Sequence, residues 1–119
     1  MERVLGIGGF FFVARDPGGL SSWYAEHLGI EPPPSSYDGA VWTQEAGPTV
    51  LAPFEAGGPS PVGAAGWGLN FRVADLDSMV RQLRSAGIEV EVDGEVYPIG
   101  RFGQLMDPEG NAIQLWELA

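Results

Sequence analysis

Leu69-Asn70-Phe71-Arg72-Val73-Ala74-Asp75-Leu76-Asp77-Ser78-Met79-Val80-Arg81-Gln82-Leu83-Arg84-Ser85-Ala86-Gly87-Ile88-Glu89 changes its apolar period partway along, and that change sets the fold. Leu69, Phe71 and Val73 alternate with Asn70 and Arg72, the period of a strand with one face buried. Asp75 or Asp77 then supplies a side chain able to cap the first free N–H groups of a helix. Met79, Val80 and Leu83 mark one helical face, and Gly87 stands where a left-handed stop is easiest.

The same order occurs once before. Residues 7 to 13, Ile-Gly-Gly-Phe-Phe-Phe-Val, form a short apolar run, and Asp16-Pro17 follows as a helix start. Leu20, Trp23, Tyr24 and Leu28 recur at spacings of three and four before Gly29, which predicts a helix over 17–28. The exits match as well, since Leu28-Gly29-Ile30-Glu31 echoes Ala86-Gly87-Ile88-Glu89 at an offset of 58. Beyond them Gly39 to Glu55 parallels Gly100 to Glu117, two hairpins with one extra residue in the second turn. Strand, helix, glycine stop and hairpin therefore repeat in order, as an internal duplication does.

Between the copies, Glu55 to Gly66 is rich in Gly and Pro and lacks periodicity, so it reads as a connector. The units run about 1–56 and 66–119 within one domain, with the connector over 56–66. Pro32-Pro33-Pro34 cannot donate to a ladder, which delays the next strand to about Ala40. Ile88, Val90 and Val92 alternate with Glu89, Glu91 and Asp93, three aliphatics inward and three acids outward. Such an acidic row discourages edge-to-edge aggregation.

Composition narrows the function. At 119 residues, with 45% apolar and 18% charged residues, the chain can bury one core and needs no second domain. Six basic against 16 acidic residues give a net charge of -10, which repels nucleic acid and anionic membrane surfaces alike. The absence of cysteine removes disulfides, thiolate metal sites and a cysteine nucleophile. The chain starts without a basic stretch and apolar run of signal-peptide form, so the expectation is a cytoplasmic protein.

Val13-Ala14-Arg15-Asp16-Pro17, Trp23-Tyr24 and His27-Leu28-Gly29, with Asp107-Pro108-Glu109-Gly110-Asn111 ahead of Ile113-Gln114-Leu115-Trp116-Glu117, carry a resemblance over essentially the whole chain. The sequence resembles the vicinal oxygen chelate superfamily, the group of glyoxalases, bleomycin-resistance proteins and extradiol dioxygenases. That resemblance implies an α+β fold in which two tandem βαβββ modules curl their sheets around a shared cleft. It also implies a divalent ion on His and Glu ligands. The positions it assigns to those ligands hold Gly9, Ala52, Gly68 and Gln114, and none supplies an imidazole or a carboxylate. The expectation is that no metal or other cofactor is held. The one histidine, His27, reads as a helix-packing residue.

If the ligand positions point into the cleft, strand alternation assigns the rest. Gly9, Phe11 and Val13, then Gly68, Asn70 and Arg72, then Ala112, Gln114 and Trp116 face the cleft, and their neighbours face the core. Phe11, Trp42, Asn70, Arg72, Gln104, Gln114 and Trp116 are the candidates to line it, a mixture suited to a small organic molecule. For Trp42, Trp67 and Trp116 ordinary packing or a dimer seam is preferred to a place in the cleft. Arg72 either takes an acidic group of a ligand or neutralises one of the chain's own carboxylates. Three functions stay open: a metal-independent binding protein, a metal enzyme with ligands such as His27, Glu45 or Glu117, and a structural or regulatory homodimer. The first is preferred, with an unidentified small organic partner and a homodimeric assembly.

Overall fold

The computed structural model describes residues 1–119. Its ordered centre is the second copy of the predicted unit. Strand β1 (Gly68–Arg72) leads into a helix over Leu76–Ser85, and strands β2 (Glu91–Val92), β3 (Gly100–Met106) and β4 (Ala112–Leu118) follow. The sheet order is β1-β4-β3-β2, with β1 parallel to β4 and the other pairs antiparallel. This is a complete βαβββ unit. The first half contributes its helix, α1 (Pro17–Leu28), which makes the helix over Leu76–Ser85 α2 in chain order.

Both helices start and stop where the side chains dictate. The Asp16 carboxylate accepts from the Gly19 N–H and Asp75 from that of Ser78, each satisfying a free donor of the first turn. Gly29 closes α1 at φ 72°, a left-handed conformation that a β-carbon would strain. Leu20 and Tyr24 of α1 and Leu76, Val80 and Leu83 of α2 cover one face of the sheet. There they meet Val90, Leu105, Ile113 and Leu115 in a single core. Alternation in the strands selects that face, so the strand-parity reading of the second half agrees with the structure. The short β2 is an edge strand, with Glu91 exposed and Val92 packed against the core, the orientation expected for the acidic row.

The first half departs from expectation. The predicted strand over 7–13 and the predicted hairpin over 40–54 do not form, and residues 1–14 and 40–54 join no backbone–backbone hydrogen bond. The physical reason lies in their composition. Gly8 and Gly9 weaken the first segment, while Pro48 and Pro53 remove ladder donors from a hairpin whose counterpart, residues 100–118, contains one proline, in its turn. Many apolar side chains there face solvent, Leu5, Val13 and Leu51 among them. The accessible surface is 8941 Å² and the radius of gyration 15.2 Å. A folded monomer of this size has about 6,200 Å² and about 13.5 Å. No helix is long and apolar enough to cross a membrane.

Candidate functional site

One face of the sheet is core; the other carries polar and aromatic side chains in rows. Register places Asn70, Gln114, Gln104 and Glu91 side by side across β1, β4, β3 and β2. The next row along runs Arg72, Trp116, Phe102. Asn70 donates its amide N–H to Gln114 Oε1 at 2.8 Å, which leaves the Gln114 NH₂ free as a donor. Gln104 is exposed beside them. Trp116 and Phe102 stack at 6.1 Å with 11° between their planes, and the Trp116 indole N–H donates to the Ile99 carbonyl. At 8% exposure Trp116 is a floor of this face rather than a free wall.

Arg72 stands at the end of that face, partly buried. Its Nη2 donates to the Glu45 carbonyl at 2.8 Å, and no carboxylate pairs with it. Arg101, the other partly buried cation, pairs with Asp77 at 3.0 Å. Beside Arg72 lies an open hollow of about 500 Å³ lined by Leu5, Gly6, Ile7, Gly8, residues 44–47, and Thr49, all of them exposed. A β-carbon on Gly47 would overlap the Arg72 guanidinium, so a larger residue there would require that side chain to shift. The glycines and the Glu45 carbonyl were not among the sequence candidates. In the sequence Glu45 stands out only as a metal ligand, through its side chain.

The remaining candidates are not brought here. Phe11 is 94% exposed and Trp42 41%, and neither lines the hollow beside Arg72. Both belong to the segments that lack strand partners, which is why strand parity could not place them.

A divalent ion, as the resemblance implies, does not fit the residues present. A side chain at Gly68 would run into the Pro61 carbonyl 2.6 Å from its β-carbon, and Gln114 Oε1 is already engaged by Asn70. His27 packs at 5.4 Å from Trp23, and Glu117 accepts the Leu76 N–H while facing Arg101. No three His, Cys, Asp or Glu side chains gather into a ligand group.

The Asp-Pro-Glu-Gly-Asn turn has a different role. Asp107 is 5% exposed, and its two oxygens accept from the Tyr24 hydroxyl at 2.7 Å, the Glu109 and Asn111 N–H groups and the Asn111 amide. Burial, and then the bond to Asp107, push the Tyr24 hydroxyl well above the usual tyrosine range. Glu109 accepts the backbone N–H groups of Arg15 and Asp16 at 2.7 and 3.0 Å. The turn thus clasps α1 to the second unit, a long-range contact that no local sequence signal announces.

The profile of the glyoxalase-like domain family matches residues 9–116. Among solved structures, TnmS3, an antibiotic binding protein from Streptomyces sp. CB03234, superposes with a TM-score of 0.63 at 18% identity. All of both chains is covered. A glyoxalase family protein from Bacillus anthracis gives a TM-score of 0.55 at 20% identity over 88% of this chain and 86% of that one. At these identities the likeness is one of fold. No curated protein matches the sequence.

Proposed function

This chain belongs to the glyoxalase-like domain family, and from that membership we propose that it is a metal-independent protein that binds a small organic molecule on the polar face of its sheet. The observation that carries the proposal is the content of that face. Where the resemblance implies metal ligands the chain has Gly68 and an amide already hydrogen-bonded, and around them stand Asn70, Arg72, Gln104 and a stacked Phe102–Trp116 pair. Amides and a cation beside an aromatic floor recognise a flat molecule with a few polar groups, and an open hollow adjoins the cation. That the fold neighbour TnmS3 is an antibiotic binding protein makes antibiotic-like aromatic compounds a class to test.

The same proposal takes the first half, about 1–56, as the other copy of the unit, with Phe11 and Trp42 reaching the cleft once its strands are paired. A second copy of the chain supplies cover for that half. The surface in excess of a folded monomer is roughly 2,700 Å² per chain, about 5,400 Å² for a pair, so it reaches the upper end of what obligate interfaces bury before any of it is taken up by pairing of the first half's own strands. Its setting is the cytoplasm.

A thermal-shift screen of chelator-treated protein tests the binding function. Aromatic compounds of positive, neutral and negative charge are expected to include some that raise the midpoint. Nickel, zinc, manganese or iron is expected to add nothing. No shift with any compound overturns the proposal; an activity or a shift that appears only with metal favours an enzyme with unusual ligands.

A further inference from the structure

We infer that the bound molecule carries a single carboxylate, held by Arg72; this rests on the binding function above and names the class of its ligand. All six basic residues are arginines, and four of them, Arg3, Arg15, Arg81 and Arg84, are exposed, where a charge needs no partner. The two partly buried ones differ. Arg101 is paired with Asp77, but Arg72 has no carboxylate in a chain that carries 16 of them. Its sole hydrogen bond goes to the Glu45 carbonyl, so most of its planar fork of N–H donors remains unspent.

A partly desolvated cation left uncompensated by its own protein costs stability, and an incoming anion recovers it. The fork geometry matches a carboxylate in particular. The surroundings restrict the charge to one. No other basic residue lines the hollow beside Arg72, and the net charge of -10 disfavours a dianion such as a phosphate monoester more than a monoanion. At physiological salt that repulsion is screened beyond about 8 Å, whereas the contact with Arg72 is not.

The same face specifies a second feature. Asn70 is two residues from Arg72 on β1, roughly 7 Å along the strand, and its bond to Gln114 leaves the Gln114 NH₂ free. A molecule that extends from Arg72 along β1 meets the Gln114 NH₂, a donor that favours a carbonyl or ether oxygen. The Glu45 carbonyl holds one edge of the guanidinium, and the missing β-carbon of Gly47 leaves room for it there.

Calorimetric titration with naphthalenecarboxylate, naphthalenecarboxamide and naphthylmethylammonium separates the charges on one ring system. The carboxylate is expected to bind about tenfold or more tighter than the carboxamide, as a charge-assisted hydrogen bond provides, and to weaken with added salt. Arg72→Gln is expected to abolish the difference by weakening the carboxylate to the level of the carboxamide, and Arg72→Lys to retain part of it. Gly47→Ala, which keeps the arginine but shifts its tip, is expected to reduce the preference less than Arg72→Gln, with the thermal midpoint reporting that each variant folds. Equal binding of carboxylate and carboxamide by the unaltered protein overturns the inference, as does a preference that survives Arg72→Gln. If the neutral or cationic compound binds and the carboxylate does not, the inference falls and the binding function stands. If no compound binds here or in the wider screen, the binding function itself falls.

Discussion

Asp107 illustrates how much a single residue's role depends on its distant partners. The motif around it was legible, and it marked the family correctly. That it would be buried and filled on both oxygens depended on Tyr24, 83 residues away, and no spacing rule links the two. Removing the hydroxyl leaves a buried carboxylate short of a donor, so Tyr24→Phe is expected to lower the unfolding free energy by about 1–3 kcal/mol in denaturant titrations. An unchanged stability would mean the clasp is not holding α1 to the sheet. Arg72 was half legible: alternation puts it on the sheet face away from the core, but that its guanidinium forms no ion pair and donates to the Glu45 carbonyl is set by a segment 27 residues away, which no local signal links to it.

The elements divide by how local their causes are. Both helices lie where capping residues and glycine stops put them, because the first and last turns are decided by side chains within a few positions. The second half's strands also follow their alternation. The expected strands of the first half do not form, since a strand needs a partner that its own letters cannot guarantee, and here prolines and glycines weaken the pairing. At this scale pH is informative. The Ser78 N–H lowers the Asp75 carboxyl below its usual range, and the Arg101 guanidinium does the same to Asp77. A lowered folded-state value stabilises the fold fully above about pH 4 and fades as pH falls through it. The thermal midpoint of Asp77→Asn is therefore expected to lie below that of the unaltered protein at neutral pH, with the gap closing toward about pH 2. A gap that stays constant in acid would remove the Asp77–Arg101 pair from the explanation.

At the scale of the whole molecule, the polar sheet face and the unpaired first half belong to one question, since the cleft expected from duplication has only its second wall in ordered form. The exposed apolar segments are expected to be covered by a second copy, so light scattering at micromolar concentration should give twice the 12.7 kDa chain mass. A monomer would leave the excess surface to be covered by the first half folding on itself. Either assembly keeps the face built by β1, β3 and β4, and the central claim is that this face binds without a metal. Its most direct test is an NMR titration of chelator-treated protein with a compound that stabilises it in the screen, following backbone amides. The expected result is saturable shifts centred on Gly68–Arg72, Gln104 and Ala112–Trp116, unaltered by added zinc or nickel. Shifts that cluster away from those strands, or that appear only after metal is added, would contradict it.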